Sequence, residues 1–162
     1  MESKRVLGIS LGTRKLGIAV VQGDRVPYFA SKAFLEAWSE KKPRRILSLI
    51  DRYVSKFQIN WIAIKTPRVT VESPKLSALQ ATIKDWAKEK GIEIHTYTVA
   101  ECKQALGLHK RANKEKCMRL LVEQFPPLQS KYEQEMKNKS AHYEKLFEAI
   151  AVARALYQRL RL

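Results

Sequence analysis

Apolar positions cluster unevenly along this chain. Between Val6 and Val21 they fall in two bursts, VLGISL and LGIAVV, separated by Gly12-Thr13-Arg14-Lys15. Two short aliphatic runs around a polar, Gly-led turn predict a β-hairpin. Gly23-Asp24 signals a second tight turn before RVPYFA, so residues 5–30 read as a three-strand meander. The rhythm then lengthens. Leu35, Trp38, Ile46, Leu49, Ile50, Tyr53 and Phe57 recur near helical spacing over residues 34–57. Pro43 is expected to break that stretch, so the main helix is predicted to begin near residue 44. Residues 59–65, INWIAIK, make a short apolar strand suited to the centre of a sheet.

Residues 66–74, with Pro67 and Pro74, read as a loop, and 75–90 as a helix closed by Lys90-Gly91. A strand is predicted over 92–98, IEIHTYT, and a short helix over 99–107 ending at Gly107. A basic loop follows at 108–113, then a helix over 113–124 with Asn113 as its N-cap, ended by Pro126-Pro127. Residues 128–140 are polar and read either as a mobile segment or as an exposed helix. The last helix spans 141–161, with Leu146, Ile150, Ala153 and Tyr157 on one face. This order predicts a single α/β domain over residues 1–162, a mixed sheet flanked by helices on both faces. The strand-like pattern of residues 6–30 excludes a bundle or a coiled coil.

Composition narrows the partners. Among 162 residues, 31 are Lys or Arg and 16 are Asp or Glu, a formal charge of +15. Such a field favours polyanions and speeds their association. DNA or RNA is the first candidate, since each neutralised phosphate releases counterions; an anionic membrane and acidic proteins come next. The cations cluster. Lys103, Lys110, Arg111, Lys114, Lys116 and Arg119 face a single acid, Glu115; Lys41, Lys42, Arg44 and Arg45 form a second group. Arg14 and Lys15 sit at the first turn, and Arg154, Arg159 and Arg161 near the C-terminus. A basic loop leading into a helix suits phosphate groups, and phosphate contacts select shape rather than base sequence. Cys102 and Cys117 fit no metal or redox pattern and read as buried, reduced thiols. His109 is a lone loop histidine, and Trp38, Trp61 and Trp86 sit at core-like spacings. No secretory leader and no apolar run of membrane-spanning length is visible, so a cytoplasmic location is expected.

Five segments, in order, carry a resemblance: VLGISLGTRKLGIAVV at 6–21, IAIK at 62–65, SALQATIKDW at 77–86, TVAECKQALGLHKRANKEKCMRLLVEQF at 98–125 and FEAIAVARAL at 147–156. Together they resemble the RuvC family of Holliday-junction resolvases, within the ribonuclease H-like fold. The resemblance implies that fold, branched DNA as partner, a role in DNA recombination and repair, and a homodimer matched to a two-fold symmetric junction. It also implies a nuclease centre in which carboxylates hold two divalent ions, Mg²⁺ or Mn²⁺, that activate water and stabilise the leaving oxygen. The family's carboxylate positions fall on Ser10, Lys65, Lys145 and Glu148, of which Glu148 alone is acidic.

Hard divalent ions require oxygen ligands, so Ser10 and Lys65 imply that the metal centre is lost or rebuilt. A salt bridge from Lys65 to Glu148 would stand in for the metal. Other carboxylates offer a partial replacement. Glu144 lies four residues before Glu148 and so on the same helix face. A one-ion site of Ser10, Glu144 and Glu148 is therefore one alternative, and Glu72 and Asp24 lie on nearby loops. Three readings follow. The first is a RuvC-like protein that binds Holliday junctions or other branched DNA without cutting, and without a metal. The second is an active, metal-dependent junction endonuclease. The third is a non-catalytic scaffold, against which the +15 charge argues. The nucleic-acid surface is assigned to Lys103, Lys110, Arg111, Lys114 and Lys116, in the region that the resemblance implies supports DNA binding, and to Arg14 and Lys15 from the cluster of charge at the first turn.

Overall fold

Three strands follow one another from the N-terminus: β1 (Val6–Leu11), β2 (Lys15–Gln22) and β3 (Arg25–Ala33), each antiparallel to the next. Helix α1 (Lys41–Phe57) crosses to β4 (Trp61–Lys65), which lies parallel to β1. Helix α2 (Ser73–Lys90) crosses to β5 (Glu93–Tyr97), parallel to β4. Four helices close the chain: α3 (Val99–Ala105), α4 (Lys114–Gln124), α5 (Gln129–Asn138), entered through a 3-10 turn at Pro126–Leu128, and α6 (Glu144–Arg159). The sheet order is β3-β2-β1-β4-β5. The computed structural model describes residues 4–35, 37–66, 73–138 and 144–160. Pro67, Glu72 and Arg161 lie outside these residues.

Strand alternation sorts the side chains into two cores. Leu7, Ile9, Ile18, Val20, Ile62 and Ile64 face one side, where they meet Ile46 and Ile50 of α1 and Leu79 and Ile83 of α2. The other face carries Val6, Ala19, Val21 and Ala63, and packs on α6 together with Leu121 of α4 and Leu128. Two glycines set how closely α6 approaches that second face. A Cβ on Gly8 would lie 1.9 Å from the Ala149 carbonyl oxygen, and one on Gly17 would lie 1.8 Å from that of Lys145. Helix backbone therefore rests directly on strand backbone. Gly8→Ala is expected to destabilise the fold by about 2–3 kcal/mol, because backbone atoms must separate to admit the methyl group. Urea denaturation of that variant measures the cost.

Some boundaries differ from the sequence expectation. Helix α1 starts at Lys41, with Pro43 inside its first turn. The first helical N–H groups have no intrahelical acceptor, so a proline there costs no hydrogen bond. Residues 34, 35 and 37–39 before it are not helical, and Leu35, read as part of an apolar helix face, is 75% exposed. Lys42, grouped by sequence with surface cations, is buried. Its Nζ donates to the carbonyls of Thr13 and Phe34 (2.7 Å for the latter), mooring α1 to the β1–β2 turn. Residues 129–138 take the helical alternative, and one face is covered: Leu128 and Glu135 are buried, and Tyr132 and Met136 pack on the α6 core. The Asn113 cap is present, its side chain accepting from Lys116 N at 2.9 Å. No helix among the described residues is long and apolar enough to cross a membrane.

Candidate functional site

Parallel pairing of β1 with β4 sets Ser10 opposite Lys65 at the C-terminal ends of both strands. Ser10 lies on the Gly8 side of its strand, so its hydroxyl faces α6. Close docking of α6 brings Glu148 onto this corner. Ser10 Oγ donates to Glu148 Oε2 at 2.5 Å, Lys65 Nζ lies 2.9 Å from the same oxygen, and Lys145 Nζ lies 3.4 Å from it. Three donors from two strands and one helix thus converge on one carboxylate oxygen. Ser10 is 1% exposed, and the side chains of Lys65 and Glu148 are 7% and 17% exposed. Burial alone would raise the Glu148 pKa. The charges of Lys145 and Lys65, with the hydrogen bonds from Ser10 and Lys65, outweigh it and hold the carboxyl below its ordinary value.

Glu144 sits one turn earlier on α6 and turns to α4, where it pairs with Lys114. No group of three or more His, Cys, Asp or Glu among the described residues is placed to hold a metal ion. Both ion pairs line a cleft of about 720 Å³ bounded by α3, α4, α5 and α6, with walls including Cys102, Met118, Leu121 and Phe147. Burial pushes the Cys102 thiol up to about 12 and raises that of Cys117, so both are neutral walls rather than nucleophiles.

Solved structures align with almost the whole chain. The RuvC of Thermus thermophilus in complex with Holliday junction substrate superposes with a TM-score of 0.75 at 19% identity, over 98% of this chain and 95% of that one. A second Thermus thermophilus RuvC structure gives a TM-score of 0.73 at 21% identity, over 97% and 96%. The yeast mitochondrial Holliday junction resolvase Ydc2 gives 0.65 at 14%, over 97% and 79%. This is the RuvC-type, ribonuclease H-like fold. No protein-family model and no curated protein matches the sequence.

Within the RuvC-type fold, the four positions that the sequence resemblance assigned to carboxylates do come together, as Ser10, Lys65, Lys145 and Glu148. Their donor set does not fit a divalent ion. One carboxylate and one hydroxyl are the available oxygen ligands, the hydroxyl is already donating to the carboxylate, and two ammonium groups lie against that carboxylate. Hard cations require several oxygens, whereas this corner carries one net positive charge.

The basic surface divides by side-chain placement. Lys110, Arg111, Lys116 and Arg119 are exposed on the loop before α4 and on α4 itself, and Arg14 is exposed at the first turn. Lys15 and Lys103 are half-buried, and Lys103 donates to the Lys110 carbonyl at 3.3 Å. Lys114 is engaged by Glu144. His109 Nδ1 accepts from Arg111 N at 3.0 Å, a loop-shaping role. Arg154, grouped by sequence with the C-terminal cations, instead bridges Gln124 and the Gly23 carbonyl, and its guanidinium lies over Phe125 and Tyr157. Sequence reasoning missed Glu135 and Met136 as cleft-lining residues. The spacing of Leu128, Tyr132, Glu135 and Met136, one helical face, was the available signal.

Proposed function

We propose that this chain binds branched DNA, four-way junctions foremost, and does not cut it. The observation that carries the reading is the Lys65–Glu148 ion pair at 2.9 Å, in the corner where a metal-dependent nuclease of this fold would need acids. The RuvC-type fold and the +15 charge support the DNA partner. A two-fold dimer is the assembly that would match a symmetric junction, with each copy holding equivalent arms. The exposed cations Lys110, Arg111 and Lys116 would take the phosphates, and Ser10, Lys65 and Glu148 would hold the corner closed in place of ions.

The test is a synthetic four-way junction beside a matched duplex. Binding is expected without divalent ions, with preference for the junction, and with no cleavage on adding Mg²⁺ or Mn²⁺. Cleavage that disappears in Glu148→Gln would overturn the reading in favour of an active nuclease. Lys110→Glu, Arg111→Glu and Lys116→Glu together are expected to weaken junction binding at least tenfold. They should also flatten the plot of log affinity against log salt by about 0.9 for each phosphate no longer neutralised. An unchanged slope would place the DNA elsewhere.

A further inference from the structure

Every exposed residue of α1 is a lysine, an arginine or a serine. The cations are Lys41, Arg44, Arg45, Arg52 and Lys56. At 3.6 residues per turn they fall within about 60° of one line along the helix, and from Lys41 to Lys56 that line runs about 22 Å. Asp51, half-buried, stands at its border. Lys41, Arg44, Arg52 and Lys56 pair with no carboxylate among the described residues. Arg45 lies over the Phe34 ring at 5.7 Å and Lys56 over the Phe57 ring at 5.5 Å, contacts that steady both side chains. The inner face of the helix is already used: Ile46, Ile50 and Tyr53 are buried in the core shared with β1, β2 and β4. Lys42, buried beneath the stripe, moors the helix and takes no part in it.

Chemistry and position together narrow the partner. A protein interface is anchored by apolar or aromatic side chains in pockets, and a helix lying on a membrane needs an exposed apolar face. The stripe has neither, since Leu47, Leu49, Val54 and Phe57 beside it pack on the core. A phosphate backbone requires only positive charge and N–H or O–H donors, and duplex DNA carries about 13 charges over such a length. Helix α1 packs on the opposite side of the sheet from α4 and α6. The thickness of the domain therefore separates the stripe from Lys110, Arg111 and Lys116, and one straight duplex cannot lie on both. We propose that α1 holds the phosphate backbone of a second DNA duplex, separate from the junction on the α4 side, so that one copy of the chain bridges two DNA molecules. This goes beyond the junction reading and rests on it only for the identity of the first DNA.

Bridging is read as energy transfer between two linear duplexes, one carrying a donor dye and the other an acceptor, as protein is added. Transfer is expected with the natural chain. Arg44→Glu, Arg52→Glu and Lys56→Glu together should weaken bridging at least about tenfold and flatten its log–log salt plot by about 2.7, the share of three phosphates. Affinity for a four-way junction should stay within about twofold, because at 0.15 M salt the field of the far face is screened beyond about 8 Å. Reversal of Lys84, Lys88 and Lys90, exposed on α2, changes the net charge equally and should leave bridging intact. Arg44→Gln, Arg52→Gln and Lys56→Gln serve if the reversed set misfolds, with a loss in the same direction. No transfer with the natural chain, transfer that survives the α1 variants, or an equal loss from the α2 set would each overturn the proposal. Junction affinity that falls together with bridging would assign α1 to an arm of the same junction, and so overturn the second duplex. Phosphatidylserine vesicles are titrated alongside; retention through the three α1 cations without duplex bridging would overturn DNA in favour of a membrane. Bridging through α1 with no preference for the junction would instead sink the functional reading and leave this site standing.

Discussion

Glu148→Ala is expected to destabilise the protein by about 3 kcal/mol at neutral pH, at the lower end for breaking a buried ion pair. The cost comes from what stays behind. Lys65, whose side chain is 7% exposed, keeps its ammonium group without the carboxylate it pairs with, and Ser10 loses its acceptor. Lys145 contributes less, because its side chain is 27% exposed and can turn to water. The double replacement Lys65→Met with Glu148→Gln should recover most of the loss. It removes both charges, and glutamine still offers Ser10 an oxygen. A double-mutant cycle by urea denaturation is expected to give a coupling of about 2 kcal/mol between the two positions. A coupling near zero would mean that the pair holds nothing together. Acidity tests the same contact. The folded Glu148 pKa lies below its ordinary value of 4.5, so the fold favours the ionised form. The resulting stabilisation is complete above about pH 4.5 and is lost as pH falls through the lowered folded value. Glu148→Gln should lack that part of the acid-side decline.

Ser10→Asp, Lys65→Glu and Lys145→Asp, made together, are expected to create a divalent-cation site at this corner. Backbone register already sets positions 10 and 65 side by side, and α6 already presents 145 and 148 to them. The substitutions convert one net positive charge into four negative ones on that frame. Without metal, the like charges should lower the melting temperature. With Mn²⁺ at about a hundred times its dissociation constant, binding to the folded state returns about 2.7 kcal/mol, or roughly 5–10 °C in a chain of this size. The natural protein should show no such shift. Thermal melts with and without Mn²⁺, backed by calorimetric titration, decide the matter. A metal-insensitive triple variant would mean that these four positions do not share a coordination sphere, although they share a corner.

Much of this architecture was legible because short apolar runs and turn glycines are local signals. The meander, the interior strand with Lys65 at its end, and the capped α4 helix follow from residues close together in the chain. The Ser10–Glu148 contact spans 138 residues, and nothing in spacing or periodicity could place those two side chains together. That juxtaposition was reachable only through the RuvC resemblance. The misplaced features are those where tertiary context overrode composition. Lys42 and Arg154 looked like surface charge, but each donates to backbone carbonyls that no local pattern brings near. Leu35 matched a helical period but is itself not helical. The cleft was illegible for the same reason, since its walls come from four helices whose apolar residues, taken singly, all read as ordinary core.

The glycines at positions 8 and 17 have a wider consequence. Because α6 meets main chain at these two positions, its distance from the sheet is set by the scaffold and not by the occupants of the corner. Positions 10, 65, 145 and 148 are brought together by strand register and by that approach, whatever groups they carry. A corner built this way uncouples shape from chemistry: an internal ion pair occupies it here, and a few substitutions would set different groups on the same frame.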